Sequence, residues 1–202
     1  MRHRVFIAIN LPAEIKRELA NFQSKWPELP VRWVRLENLH ITLAFLGYLS
    51  DEELVEVLKI TKEAAQRNSA FQINLVKICY GPPKKMPPRM IWVEGEKSKE
   101  LGKLQGDLEN SLAGRITYKE DYNPPTALPP KGRAPSRPYT PHITLGRIRQ
   151  WEFRQIEPEE RPEVNEEISL SFGIKSIEVM ESQLKKGGAE YTILESAQLG
   201  RF

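Results

Sequence analysis

His40-Ile41-Thr42-Leu43 recurs later in the chain as His142-Ile143-Thr144-Leu145. Ile, Leu and Thr suit a pleated, half-buried surface, so each copy reads as part of a β-strand. Side chains alternate across a strand. His40 and Thr42 therefore share one face, and Ile41 and Leu43 the other. His142 and Thr144 are set against Ile143 and Leu145 in the same way. Each copy presents an imidazole beside a hydroxyl and anchors its opposite face in a core. The chain has 3 histidines in 202 residues, and two of them open this phrase, so the pattern stands above the strand background. One such tetrapeptide would be a weak signal; two are a strong one.

The regions around the two copies alternate strands and helices. Residues 4–10 read as a strand, and the spacing of Ile15, Leu19, Phe22 and Trp26 predicts a helix that ends at Pro27 and Pro30. A short approach strand over 31–36 precedes the first motif strand, 39–46, which Gly47 closes. Ser50 followed by Glu53 is a capping box opening a second helix, with Leu54, Val57, Leu58 and Thr61 turned inward. Residues 71–80 and 90–93 read as a hairpin with a rigid basic tip. A leucine stripe, Leu101, Leu104, Leu108 and Leu112, predicts a third helix, with Gly114 as its C-cap. A short strand over 115–118 is followed by a proline-rich basic stretch, 123–138. The second motif strand spans 142–148, a short polar turn or helix occupies 150–160, and strands cover 166–172, 174–181 and 190–199. His3 reads as a solvated terminal residue.

The expected fold class is α+β. It is bilobal: two pseudo-symmetric lobes, each an antiparallel sheet with outer helices, with a cleft between them. Residues 1–202 then form a single domain with one H-x-T-x motif per lobe.

Composition narrows the function classes. A chain of this length hides roughly 70% of its unfolded surface. Hydrophobic residues are 40%, charged residues 28% and the net charge +3, so a nucleic-acid contact would be local rather than coat-like. The single cysteine, Cys79, sits in an apolar run and is read as an inert core thiol. One cysteine permits no internal disulfide, which suits a reducing cytoplasm. No apolar stretch approaches the ~20 residues of a membrane span, and the first apolar run is too short for a signal peptide.

Two histidines on facing strands suit phosphodiester cleavage. A neutral imidazole takes the proton of the attacking water while a cationic one protonates the leaving alkoxide. The threonine hydroxyls, two residues along on the same face, can hydrogen-bond the non-bridging phosphate oxygens. No zinc-type ligand spacing accompanies either histidine, and no phosphate-cradling glycine loop or serine or cysteine nucleophile signature is present. The expectation is no metal and no cofactor.

With these residues in place, the chain resembles the two-histidine (2H) phosphoesterase superfamily. Within it, the chain is similar to the RNA 2′,3′-cyclic phosphodiesterases, historically called 2′-5′ RNA ligases. The resemblance is carried by Arg4-Val5-Phe6-Ile7-Ala8-Ile9-Asn10-Leu11-Pro12, by Trp33-Val34 and the block from Glu37 to Gly47, by Pro141 to Arg147, and by Met180-Glu181-Ser182 with Gly188, Tyr191-Thr192 and Leu194. It implies metal-independent opening of a 2′,3′-cyclic phosphate at an RNA end to leave a 2′-phosphate. His40 is then the proton donor to the 3′ oxygen and His142 the proton acceptor that activates water. Thr42 and Thr144 hold the phosphate. Arg147 matches a phosphate-binding position, or is a solvated strand-end arginine. Phe6 is a candidate to stack on the terminal base, or a core aromatic.

The stretch 123–138 is longer than usual for the family. Its Lys131, Arg133 and Arg137 either contact the RNA backbone or lie on a surface loop. The implied partners are RNA 3′ ends or small cyclic nucleotides, with no membrane, in the cytoplasm, and nothing requires more than a monomer. RNA joining through a 2′-5′ linkage and non-catalytic RNA-end binding remain as alternatives.

Overall fold

The strand and helix patterns resolve into a mixed α/β fold in a computed structural model, which describes residues 2–83, 86–115, 141–186 and 188–200. In chain order the elements are β1 (His3–Asn10), α1 (Ala13–Phe22), β2 (Val31–Trp33), β3 (His40–Leu49), α2 (Asp51–Gln66), β4 (Phe71–Gly81) and β5 (Met90–Gly95). They continue with α3 (Lys99–Leu112), β6 (His142–Ile148), α4 (Gln150–Arg154), β7 (Asn165–Ile174), β8 (Ser176–Lys185) and β9 (Gly188–Gln198). The basic stretch 123–138, with Lys131, Arg133 and Arg137, lies outside the described residues, as does most of the strand expected over 115–118.

The helices start where their caps dictate. Ser50 accepts from the Glu53 backbone N–H at 3.2 Å, while the Glu53 carboxylate accepts from the Ser50 N–H at 2.8 Å. That reciprocal pair satisfies two of the donors a helix start leaves open. Ser98 caps α3 by accepting from Leu101 N–H at 3.1 Å. Gly114 ends that segment at φ 75°, a conformation that favours glycine. Helix α2 is rotated slightly from its expected face. Val57, Ile60, Thr61, Ala64 and Ala65 are buried, while Leu54 and Leu58 form the half-buried edge.

Helix α1 ends at Phe22, short of Trp26, and a 3-10 turn over Gln23–Lys25 follows it. Trp26 still reaches the core at 7% exposure, and its indole N–H donates to the Glu163 carbonyl at 3.3 Å.

Among the described residues the strands form one 9-stranded sheet in the order β7-β4-β5-β6-β3-β1-β8-β9, with β2 added to β6. Every pairing between these strands is antiparallel. The sheet divides into two arms, β3-β1-β8-β9 and β7-β4-β5-β6 with β2. They meet at a single residue pair, Ile41 opposite Ile143. The arms are not halves of the chain. The first combines the N-terminal β1 and β3 with the C-terminal β8 and β9, and the second takes the strands between. Consecutive strands β7 and β8 consequently lie in different arms.

One large apolar core joins the two arms to the helices. It takes Val5, Ile7 and Ile9 from β1, Ile41 and Leu43 from β3, and Ile143 and Leu145 from β6. The helices add Leu19, Ile60 and the α3 leucines. The opposite face of the sheet carries a small separate cluster of Phe6, Ala8 and Met180, flanked by Phe45 and Tyr191. Both motif histidines turn toward this second face, into the groove between the arms.

Candidate active site

The two motif strands run antiparallel through the Ile41–Ile143 pair. Directly opposed residues in such a ladder project to the same face. Ile41 and Ile143 point into the core at 2% and 0% exposure. Their neighbours His40, Thr42, His142 and Thr144 therefore turn to the groove, related by an approximate two-fold axis through the isoleucine pair. His40 is brought toward Thr144, and Thr42 toward His142.

Each motif strand then makes a bulge. In the β5–β6 pairing, Trp92 faces Thr144 but Ile91 faces Gly146, so Leu145 is an extra residue. In the β1–β3 pairing, Ala8 faces Thr42 but Ile7 faces Ala44, so Leu43 is extra. A bulge inverts the alternation beyond it. Arg147, five residues after His142, would otherwise point into the core; the bulge returns it to the groove face opposite Met90. Phe45, five residues after His40, is returned to the groove face opposite Phe6. The symmetric device ends one arm in a cation and the other in an aromatic ring.

His40 is held on all sides. Its Nδ1 lies 2.7 Å from the carbonyl oxygen of Asn38 and its Nε2 lies 3.0 Å from Thr42 Oγ1. A carbonyl only accepts, so Nδ1 carries the proton and, in the neutral ring, Nε2 accepts from the threonine hydroxyl. Phe6 lies at 5.0 Å, tilted, and Tyr191 at 5.4 Å, edge-on. Burial, followed by the positive charge of Lys16, His142 and Arg147, lowers the His40 pKa to about 4, against the lifting effect of the Asn38 carbonyl. Charge from both the other motif strand and α1 thus reaches this ring.

His142 stacks on the Trp92 indole at 3.8 Å with 21° between the planes. Glu94 is its cross-strand neighbour. Thr144 Oγ1 and an Arg147 guanidinium nitrogen each lie 4.0 Å from Met90 Sδ. Phe6 is 3% exposed, and its ring packs against His40, Phe45 and Tyr191. Burial, then Glu94, pushes the Cys79 thiol up to about 12, out of nucleophile range at neutral pH. Among the described residues no three His, Cys, Asp or Glu side chains gather as a metal-binding set. Among them, too, no helix is long and apolar enough to cross a membrane.

A family described as LigT like phosphoesterase matches residues 9–92. The RNA 2′,3′-cyclic phosphodiesterase of Methanocaldococcus jannaschii is 27% identical over 195 residues, covering 95% of this chain and 98% of its own. A crystal structure from Thermus thermophilus superposes with a TM-score of 0.77 at 26% identity, over 98% of each chain. Residues 9–92 thus match the LigT-like phosphoesterases in sequence, and the likeness in fold extends over nearly the whole chain. E. coli LigT, solved with 3′-AMP, aligns with a TM-score of 0.74 at 25% identity, over 98% of this chain and 99% of LigT.

Three features of this site escaped the sequence reading. Trp92 was legible only as a strand residue, because its stacking on His142 depends on β5 pairing with β6. Lys16 lies off the apolar stripe of α1, yet it is 7% exposed and donates to the Glu37 carbonyl at 2.8 Å. Tyr191 comes from the far end of the chain and reaches His40 only because β9 closes the first arm.

Proposed function

We propose that this chain is a single two-lobed domain that hydrolyses the 2′,3′-cyclic phosphate at RNA ends, without a metal, leaving a 2′-phosphate. The observation that carries the proposal is the juxtaposition of His40, Thr42, His142 and Thr144 on one groove face about the Ile41–Ile143 pair. The names of its relatives support the substrate class.

In this mechanism His142 accepts a proton from water as the water oxygen bonds to phosphorus. The bond from phosphorus to the 3′ oxygen breaks, and His40 delivers a proton to that oxygen. Both rings return to their starting states through solvent. Charge on the non-bridging oxygens is met by the Thr42 and Thr144 hydroxyls and by Arg147. Phe6, beneath His40, fixes the ring rather than taking the base.

His40 needs a proton to act as donor, and in the free protein it is held neutral at pH 7 by burial and surrounding positive charge. The phosphate reverses part of that balance. Its negative charge favours the imidazolium. Proton uptake is thereby coupled to substrate binding, and the acid is armed only when the substrate is seated.

The test is incubation with a 2′,3′-cyclic-phosphate oligonucleotide in chelator, followed by identification of the hydroxyl that keeps the phosphate. A 2′-phosphate product is expected. A ligated product would favour the joining reaction, and binding without turnover would leave an RNA-end binding module.

A further inference from the structure

The groove carries a second cation that the two-histidine chemistry does not use. Strand β2 pairs with β6 so that Arg32 stands directly opposite Arg147. The flanking β2 residues fix its orientation. A Cβ placed on Gly146 would lie 2.3 Å from Val31 and 2.8 Å from Trp33, so those side chains pack tightly over the core side of β6. Arg32, between them, turns to the groove with Arg147. Like charges directly opposed in a ladder destabilise it. Among the described residues neither arginine has an ion-pair partner.

Arg32 also reaches the other arm. A Cβ on Gly188 would stand 2.8 Å from an Arg32 guanidinium nitrogen. Gly188 has φ +121° and no side chain, so the β8–β9 tip closes over the guanidinium. Arg32 is thus held beside Arg147, at the end of β6 away from the Ile41–Ile143 pair and facing the β8–β9 tip.

We propose that Arg32, beside Arg147, seats a second phosphate, so that the groove selects the end of an RNA strand over an isolated cyclic nucleotide. The cyclic phosphate lies between the histidines within reach of Arg147, and the neighbouring phosphodiester lies against Arg32. The anion relieves the repulsion of the facing guanidiniums, which offer planar forks suited to phosphate oxygens. This rests on the reading of function above and names its substrate class.

The experiment compares a 2′,3′-cyclic mononucleotide with a trinucleotide ending in the same cyclic phosphate, for the unaltered protein, Arg32→Ala and Arg32→Lys, across a salt series. The unaltered protein is expected to favour the trinucleotide in kcat/KM. In Arg32→Ala that preference falls about tenfold, through KM. The slope of log KM against log salt for the trinucleotide falls by roughly 0.7, one phosphate contact on a single strand. Arg32→Lys retains most of the slope. An equal loss on both substrates, or no loss on either, overturns the second phosphate seat while leaving the hydrolase reading intact. An unaltered protein inactive on both substrates overturns both.

Discussion

At the residue scale, the surroundings of His40 decide its charge, on which the proposed chemistry depends. A ring that donates through Nδ1 to a carbonyl turns Nε2 to the Thr42 hydroxyl, and burial, helped by nearby positive charge, keeps that atom unprotonated. NMR titration of His40 in the free protein is expected to give a midpoint near 4. Inorganic phosphate or a 2′-nucleotide product should move the midpoint upward. An unmoved midpoint would remove the proposed coupling between binding and proton uptake. Substituting either His40 or His142 by alanine is expected to lower kcat by about 10²–10⁴, the usual yield of a positioned acid or base. Both variants should still melt cooperatively, since neither ring belongs to the main apolar core. Lys16 is the residue most easily overlooked here. Its pKa is pulled below the ordinary lysine value by burial, and its charge adds to the pressure on His40.

At the scale of elements, the site depends on how strands pair and where they bulge. Gly81 shows how little slack there is. A Cβ at that position would stand 2.2 Å from the Trp92 indole, the same ring on which His142 stacks. Gly81→Ala is therefore expected to displace Trp92, destabilise the protein by about 1–3 kcal/mol and lower kcat together with stability. Gly102 and Gly106 in α3 provide the contrast, because nothing lies within 4 Å of a Cβ at either position. Alanine at each should stabilise by up to ~1 kcal/mol with kcat unchanged. Chemical denaturation paired with a turnover assay separates the two outcomes.

For the whole molecule, the first arm is tied together where its start meets its end. His3 Nδ1 lies 2.7 Å from Glu181 on β8 and His3 Nε2 lies 2.9 Å from Asp51 at the start of α2. The terminal histidine is thus half-buried between two carboxylates rather than solvated. Its pKa is raised by the hydrogen bonds to Glu181 and then Asp51, so this tie is present below about pH 6.5 and lost as pH rises through the higher folded value. His40 works in the opposite sense. Its folded pKa is depressed to about 4, so its neutral burial favours the fold above about 6.5 and ceases to as pH falls toward 4. Melting temperature is expected to peak near pH 6.5. His3→Ala should flatten the alkaline slope, and His40→Ala the slope between about pH 4 and 6.5.

The two tetrapeptides, the alternation of their faces and the helix stripes with their caps were legible in the residues alone. Each depends on neighbours a few positions away, and strand or helix periodicity records that directly. The α+β class and the convergence of paired histidines on one groove followed from the repeat and its resemblance. Which strands share an arm did not, because a strand edge offers the same N–H and C=O groups to any partner. β7 and β8 read alike, yet they join different arms. The bulges at Leu43 and Leu145 were also invisible, since an extra residue exists only relative to a partner strand. Only tertiary pairing put Arg147 on the groove face, Trp92 behind His142 and Arg32 beside Arg147. The residues determined what chemistry was available, and the pairing of distant strands decided which side chains face one another to perform it.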